Sequence, residues 1–123
     1  MINFLTTKDV ISIHDRMISA YGGLEGYSDV GRIESMITRI LNRHVYEGEH
    51  DVHVLAAAYL LAIARGHCFN DANKRTGFAA AMLFLRRNGV LVHFSEEHEE
   101  LTVRAAEGKM DVWEIAGRLK TSI

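Results

Sequence analysis

An uninterrupted apolar run, VLAAAYLLAIA at 54–64, constrains the fold of this chain more than any other feature of its sequence. A helix that is apolar on nearly all sides must be enclosed by other elements or by lipid. The run is too short to span a bilayer, which needs about 20 apolar residues. We therefore expect a buried helix at 52–66, other helices packed around it, and no membrane association.

The absence of proline from all 123 residues favours helices throughout. Proline interrupts helices, and average usage of about 5% would give roughly six prolines in a chain of this length. The 48% hydrophobic and 24% charged fractions are ordinary for a globular protein. We predict a single domain over 1–123, all-α in class, folded as a compact bundle of about six helices.

Capping residues, glycines and apolar periodicity indicate where these helices begin and end. The predicted helices run from Thr6 or Thr7 to Gly22-Gly23, over 29–43, 52–66 and 73–88, from Ser95 onward, and within 109–123. VLVHF at 90–94 is expected to be extended. The stripes expected to face inward are Val10, Ile13, Met17 and Tyr21, then Ile33, Met36, Ile37, Ile40 and Leu41, and finally Val112, Ile115, Ala116 and Leu119.

Charge and cysteine content narrow the class of protein. A net charge of −2 argues against direct nucleic-acid binding, which usually calls for a basic surface. The single cysteine, Cys68, cannot form an intramolecular disulfide and is expected to be inert. The N-terminus, MINFLTTKDV, lacks the pattern of a signal peptide. These features favour a cytoplasmic protein.

The polar stretch RGHCFNDANKR at 65–75 separates the buried helix from the next one. Its three basic residues outnumber its one acid, Asp71, although the protein as a whole is acidic. The first turn of a helix has unpaired backbone N–H groups and a positive dipole end. Lys74 and Arg75 are therefore unfavourable there unless an anion binds, and we predict a phosphate site.

Other residues of this stretch supply the remaining parts of a phosphate-transfer site. Asp71 offers the hard oxygen ligand that Mg²⁺ uses alongside substrate phosphates. His67 is a natural general base for a hydroxyl group. Each residue also has a plainer interpretation, since Asp71 or Asn73 could cap the helix and His67 could be a solvated helix end. Phe69 is expected to be a buried anchor for the loop.

The segment HCFNDANKR at 67–75 resembles the signature of the Fic/Doc superfamily, His-x-Phe-x-(Asp/Glu)-(Gly/Ala)-Asn-(Gly/Lys)-Arg. YGGLEGYSDVGRIES at 21–35, ARGH at 64–67 and FLRRNG at 84–89 resemble its Doc branch, the toxins of Phd–Doc toxin–antitoxin pairs. The resemblance covers most of the chain and implies a Fic fold, with the motif on a central buried helix–loop–helix. The matching positions are His67, Phe69, Asp71, Ala72, Asn73, Lys74 and Arg75.

The resemblance also implies roles for the motif residues. His67 would accept the proton of a target hydroxyl, and Asp71 would be the Mg²⁺ ligand. Asn73 and Arg75 would contact the phosphates of ATP. Because Lys74 would both bind and neutralise the transferring phosphate, it joins His67 and Asp71 as a catalytic residue.

Two departures distinguish this chain from the superfamily members that transfer AMP. Lys74 stands where most of those enzymes have Gly, and Phe78 stands where they have a second Arg. Doc enzymes carry both changes, bind ATP reversed, and transfer its γ-phosphate to a threonine of elongation factor Tu, which halts translation. The resemblance therefore implies a toxin with Ser/Thr kinase activity that uses ATP and Mg²⁺.

Two protein contacts follow from the same resemblance. The superfamily flap, which clamps the target backbone by strand-like pairing, falls at Val45 to Glu49, where a plain surface connector is an equal alternative. The inhibitory sequence (Ser/Thr)-x-x-x-Glu-(Gly/Asn) is not matched, because its nearest candidate, Ser95…Glu99-Glu100, fails at the last position. A Phd-like antitoxin is therefore expected to inhibit in trans, as an amphipathic helix in a groove.

Three other functions remain open. AMP transfer to a protein hydroxyl is disfavoured by Lys74 and Phe78, and a non-catalytic Fic-like binding module is disfavoured by the intact His67 and Asp71. Metal-dependent hydrolysis is a third possibility, although the spacing of its candidate ligands does not place them on one face. Those candidates are His44, His50, Asp51, His53 and His67.

Overall fold

The computed structural model describes residues 1–27, 29–93 and 95–121, and its regular elements are helices. In chain order these are α1 (Thr7–Tyr21), α2 (Val30–Val45), α3 (Val52–Gly66), α4 (Asn73–Arg87), α5 (Glu96–Ala106) and α6 (Val112–Lys120). An isolated antiparallel bridge joins Tyr27 to Phe69, and the described segments contain no strand. The predicted all-α fold of about six helices is confirmed.

Side-chain caps explain most of the helix starts. Thr6 and Asp9 form a reciprocal capping box at α1, in which the Thr6 hydroxyl accepts from the Asp9 N–H. Asp29, Asp51 and Asp111 accept backbone N–H groups at the starts of α2, α3 and α6. Such caps satisfy N–H groups that the helix itself leaves unpaired.

Helix α3 lies at the centre of the bundle and packs against α2, α4, α5 and α6. Gly77 of α4 allows the closest approach, because a Cβ atom there would lie 2.9 Å from the carbonyl oxygen of Leu60. The two helices that flank the motif are therefore held against each other through their backbones. The buried residues of α3 are Val54, Leu55, Ala56, Ala57, Ala58, Tyr59, Leu60, Ile63 and Ala64.

Two residues expected to face inward lie at the surface instead. Tyr21 is 70% exposed because it is the last residue of α1. Leu41 is 40% exposed, since the buried stripe of α2 is narrow and runs through Ile33, Met36 and Ile40. The other inward-facing predictions are confirmed, with Met17 and Ile37 only half-buried.

Of the segment expected to be extended before α5, the described residues 90–93 form no strand. Residues 90–93 have no regular secondary structure, and Phe94 lies outside the described residues. Helix α2 ends two residues later than expected, at Val45. Within the described part of the chain, no helix is both long enough and apolar enough to cross a membrane.

Candidate active site

The loop between α3 and α4 carries the motif and has an unfavourable backbone at both ends. His67 (φ 50°) and Ala72 (φ 61°) are the non-glycine residues with positive φ in the described segments. A left-handed conformation costs an L-residue roughly 1–2 kcal/mol. Contacts with surrounding residues must therefore impose the shape of this loop.

Asn73 fixes the loop from within. Its Oδ1 accepts from the Phe69 N–H at 3.2 Å, and its Nδ2 donates to the Phe69 carbonyl at 3.0 Å. This reciprocal pair closes the turn between the buried Phe69 and the first residue of α4. One hydrogen of Nδ2 remains for another acceptor, since a side-chain amide has two donors.

The connection between α1 and α2 forms a second wall of the site. The Asn70 N–H donates to the Gly26 carbonyl at 3.1 Å, and Asn70 Nδ2 donates to the Glu25 carbonyl at 3.0 Å. The Leu24 N–H donates to the Asp71 carboxylate at 3.1 Å. The sequence LEG at 24–26 therefore supports the motif directly.

The Asp71 carboxylate is oriented and ionised by its neighbours. Its Oδ1 accepts from the Ala72 N–H at 2.8 Å, and its Oδ2 accepts from Leu24. These hydrogen bonds, first from Ala72 and then from Leu24, hold the pKa of Asp71 below its usual value, with help from the positive charge of Arg75. Each oxygen retains a lone pair, so this carboxylate fits the hard-ligand chemistry of Mg²⁺.

His14 of α1 is a supporting residue that was not predicted from the sequence. It is fully buried, its Nε2 donates to the Asp71 carbonyl oxygen at 2.9 Å, and its ring stacks on Phe69 at 3.9 Å. One signal was available in the sequence: Val10, His14 and Ile18 are spaced four residues apart and form the buried side of α1. A histidine in the middle of such a stripe needs a polar partner.

His67 immediately follows α3 and lies exposed at the edge of the loop. No hydrogen bond to its side chain occurs among the described residues, which leaves both ring nitrogens accessible to a substrate. Its position is set through the backbone, because Arg32 Nη2 donates to the carbonyl of Gly66 at 3.0 Å. Cys68 follows it and is buried, and burial raises the pKa of its thiol, which disfavours the reactive thiolate.

The start of α4 is uncapped by any side chain. Its N-cap is Ala72, and the first turn contains no acidic residue. The expectation that Asp71 or Asn73 caps this helix is wrong. The Asp71 carboxylate accepts from the Leu24 N–H instead, and the Asn73 side chain accepts from the Phe69 N–H. Backbone N–H groups at the positive end of the helix dipole are thus left for an anion.

Two basic side chains lie beside this helix start. Lys74 is exposed and belongs to no ion pair of the described residues. The Arg75 guanidinium is held in place, since Nη2 donates to the Gly22 carbonyl at 3.3 Å and the group lies 5.5 Å from the centre of the Tyr21 ring. The structure thus places a free cation and a fixed cation beside the uncapped N–H groups.

An apolar groove of about 510 Å³ begins at these two cations and runs between α1, α4 and α5. Phe78 lies in its wall, one turn beyond Lys74, at the position where AMP-transferring members have a second Arg. We call this surface the α1–α4–α5 groove; it is lined by Met17, Tyr21, Lys74, Arg75, Phe78, Ala79, His98, Glu99, Thr102 and Val103.

The candidate ligands for metal-dependent hydrolysis do not come together. His53 belongs to the first turn of α3 and His67 follows its last residue, so the length of the helix, roughly 22 Å, separates them. The His44 and His50 rings contact each other at 4.9 Å, whereas His53 Nδ1 lies 3.6 Å from Asp51. No group of three or more metal-ligating side chains occurs in the residues that the structure describes.

The segment expected to act as a flap, Val45 to Glu49, contains no strand in this structure. Val45 ends α2, and the following turn is closed by a 2.6 Å contact between His44 Nδ1 and the Glu49 carbonyl. Val45 and Tyr46 are 57% and 81% exposed. Their pairing with a target backbone stays a prediction.

The fold and loop are those that the motif resemblance implied: an all-helical bundle whose two most buried helices flank the motif. The chain belongs to the Fic/DOC family, whose model matches residues 4–85. It is 50% identical to the protein named Protein kinase doc of Escherichia phage P1, over 94% of this chain and 92% of that one. It is 31% identical to Toxin Doc of Mycolicibacterium smegmatis, over 97% of this chain and 92% of that one.

Proposed function

We propose that this protein is a toxin kinase of the Doc type. It transfers the γ-phosphate of ATP to a threonine or serine hydroxyl of a translation factor, elongation factor Tu, and so halts translation in the cytoplasm. The observation that carries the proposal is the uncapped start of α4, where Lys74 and Arg75 lie next to the ionised Asp71. The names of the two relatives agree with it.

In the proposed reaction, the phosphates of ATP lie at the start of α4. The N–H groups of the first turn, the side chains of Lys74 and Arg75, and the remaining Nδ2 hydrogen of Asn73 bind phosphate oxygens. Asp71 would hold Mg²⁺, which would supply positive charge next to the phosphates. Asp71, Asn73 and Arg75 are held by hydrogen bonds before ATP arrives, so these three groups need little reorganisation during transfer.

His67 acts on the acceptor. It takes the proton from the acceptor hydroxyl as the hydroxyl oxygen bonds to the γ-phosphorus, and the bond from that phosphorus to the β–γ bridging oxygen breaks. ADP leaves, and the acceptor keeps the phosphoryl group. Lys74 neutralises the charge that develops on the transferring group.

AMP transfer is the alternative, and the surroundings of Phe78 count against it. An arginine at this position would offer a bidentate phosphate contact, whereas Phe78 presents an aromatic ring to the α1–α4–α5 groove. Lys74 also fills the position at which Gly would let a phosphate approach the backbone closely. Both features favour the reversed binding orientation of ATP, in which the γ-phosphate lies at the motif loop.

We also propose that a Phd-like antitoxin occupies the α1–α4–α5 groove. The groove is apolar along α4 and α5, which suits the apolar face of an amphipathic helix. An acidic side chain on such a helix would pair with Lys74, which has no ionic partner in the described structure. Inhibition would follow because the bound helix competes with the phosphates for Lys74 and Arg75.

The test is a pair of transfer assays with γ-labelled and α-labelled ATP, Mg²⁺ and purified bacterial elongation factor Tu. The expected result is transfer of the γ label alone, with none in a His67→Ala variant. Transfer of the α label would identify AMP transfer instead. If neither label moves to elongation factor Tu or to any protein of a bacterial lysate, the binding-module alternative gains support.

A further inference from the structure

Helix α2 presents a row of arginines to the groove between itself and α3. Arg32, Arg39 and Arg43 are seven and four residues apart, a spacing that places them on one face of a helix. Two adjoining clefts of about 560 and 420 Å³ share Met36, Arg39 and Ala62, so the groove is continuous. We call the surface formed by Arg32, Ser35, Arg39 and Arg43 of α2 with Ala58 and Ala62 of α3 the arginine groove.

One end of the arginine groove meets the motif loop. Gly66 and Cys68, the two residues that flank His67, line this end, and Arg32 Nη2 donates to the Gly66 carbonyl at 3.0 Å. The other end is lined by Val112 at the start of α6. A chain segment lying in the groove would therefore have one end beside the proposed general base.

The three guanidinium groups have no acidic partner in the described residues. None of the ion pairs of segments 1–27, 29–93 and 95–121 involves Arg32, Arg39 or Arg43. Two acids line the groove. Asp29 accepts a hydrogen bond from the Gly31 N–H at 2.8 Å, and Glu47 is exposed at the end of the groove that Val112 lines. On a protein of net charge −2, this row is a local excess of positive charge.

We propose that the arginine groove binds an acidic segment of the protein acceptor and thereby delivers the acceptor hydroxyl to His67. The inference rests on the proposed function, because it assigns the part of the acceptor that lies outside the transfer site. Carboxylates spaced along the segment pair with Arg32, Arg39 and Arg43. Charge complementarity of this kind contributes to partner choice and to the rate of association.

The floor of the groove favours a protein occupant over a nucleic acid. It is made of aliphatic side chains, which suit the apolar residues of a polypeptide and offer no stacking surface for bases. Glu47 and Asp29 on its walls would repel a continuous phosphate backbone. The floor residues are Met36, Ile40, Ala58, Leu61, Ala62 and Val112.

Trp113 gives a direct readout of occupancy that does not depend on phosphate transfer. It is the only tryptophan of the chain, it is 62% exposed, and the Arg43 guanidinium lies 5.5 Å from its ring centre. A synthetic peptide of glutamate and leucine should change the fluorescence of the full chain in a saturable manner. The same peptide with lysine in place of glutamate should cause no change.

Charge reversal provides matched variants for this titration. Arg39→Glu should weaken binding of the acidic peptide by at least about tenfold, the effect of roughly 1.4 kcal/mol. Arg86→Glu changes the net charge equally at an exposed site in the last turn of α4, the end remote from the motif, and should bind as the native protein does. Thermal melting of both variants verifies that each is folded.

The same variants test whether the groove serves the acceptor. With elongation factor Tu, Arg39→Glu should raise the KM for the acceptor about tenfold while the KM for ATP stays unchanged. If this variant binds the acidic peptide normally, or if single-stranded RNA binds and the acidic peptide does not, the inference is wrong. Peptide binding with an unchanged acceptor KM would also overturn it.

The peptide titration distinguishes failure of this inference from failure of the proposed function. Absence of label transfer from the native protein would contradict the kinase proposal, yet the Trp113 titration would still report whether an acidic segment binds. If the native protein and Arg39→Glu both transfer the label normally, the kinase proposal would stand, and the arginine groove would have no role in binding the acceptor.

Discussion

Nε2 of His14 lies 2.9 Å from the carbonyl oxygen of Asp71, so a buried residue of α1 is hydrogen-bonded to the backbone of the motif loop. A carbonyl oxygen only accepts, and the Nε2 atom must therefore carry the hydrogen. The same imidazole ring stacks on Phe69, nearly parallel at 7°. One side chain outside the motif thus holds both the backbone of Asp71 and the ring of Phe69, the buried anchor of the loop.

Substitutions of His14 should distinguish the effect of its hydrogen bond to Asp71 from the effect of its ring stack on Phe69. His14→Phe keeps a ring against Phe69 and removes the donor, so Asp71 should be held less firmly while the protein remains folded. We expect phosphate transfer to fall about tenfold, roughly the contribution of one buried hydrogen bond, and the Mg²⁺ concentration for half-maximal transfer to rise. Transfer rates measured across a Mg²⁺ titration verify this.

A donor-retaining variant supplies the control for His14. His14→Gln keeps an N–H that can reach the Asp71 carbonyl but loses the stack on Phe69. It should therefore retain a Mg²⁺ requirement nearer to that of the native protein than His14→Phe does. An unchanged Mg²⁺ requirement in His14→Phe would show that the hydrogen bond does not position Asp71.

Gly23 should tolerate no side chain, in contrast to its neighbour. A Cβ atom at Gly23 would lie 2.6 Å from Asp71 Oδ2, and its φ is +125°. Gly22 also has a positive φ, +81°, but a Cβ atom there would have no neighbour within 4 Å. Gly22→Ala should cost about 1–3 kcal/mol of stability, because a φ of 81° with a ψ of 176° is open essentially to Gly alone. Gly23→Ala should also displace Asp71 and should therefore reduce transfer at least about tenfold more than Gly22→Ala does. Equal transfer by the two variants would contradict this account.

Gly77 and Gly117 form a second matched pair, for stability. A Cβ atom at Gly77 would lie 2.9 Å from the Leu60 carbonyl and 3.1 Å from the Ala64 nitrogen, so Gly77→Ala must separate α3 from α4. We expect a loss of about 1–3 kcal/mol, measured by chemical denaturation. Gly117 lies within α6 with nothing near its Cβ position, and Gly117→Ala should stabilise the protein by about 0.5–1 kcal/mol. A gain in stability in Gly77→Ala would contradict the close approach of α3 and α4.

The ion pair between Asp9 and Arg87 should make stability depend on acid pH. The hydrogen bond from Arg87 is the main cause that lowers the pKa of Asp9 from 3.8 to about 2. A carboxyl whose pKa is lower in the folded protein stabilises it above the unfolded value, and the contribution is lost as the pH falls from about 4 to about 2. Both side chains are partly exposed, so solvent screening limits the contribution to about 1 kcal/mol.

The measurement is the free energy of unfolding of the native protein and Asp9→Asn at a series of pH values. The native protein should be more stable by about 1 kcal/mol at pH 7, and the difference should disappear near pH 2. Glu34→Gln removes a charge from an exposed site of α2 and should show no such convergence. A difference that is constant from pH 7 to pH 2 would contradict the assignment.

Local signals in the sequence were sufficient to predict the helices and to identify the motif. The all-apolar run identified α3, Asp51 capped it, and Gly66 ended it, because each of these signals acts within a few residues. The basic start of α4 also led us to expect an anion site, which stays a prediction. Apolar periodicity failed only at the margins of stripes, as at Tyr21 and Leu41, where packing against neighbouring helices decides burial.

The support of the site could not be derived from local signals. His14 and Leu24 contact Asp71 across 57 and 47 residues of sequence, and the fold alone brings them together. Asn73 was expected to contact phosphate, yet its side chain also closes the loop on Phe69. Capping rules suggested Asp71 or Asn73 as an N-cap, but competing partners in the folded protein engage both.

The measurement that tests the kinase proposal most directly is the mass of the group attached to the acceptor. Elongation factor Tu is incubated with the protein, ATP and Mg²⁺, digested, and analysed by mass spectrometry, with His67→Ala in parallel. We predict a single phosphoryl group on a threonine or serine, absent in the variant. An AMP group on that residue, or a phosphoryl group that forms equally with His67→Ala, would contradict it.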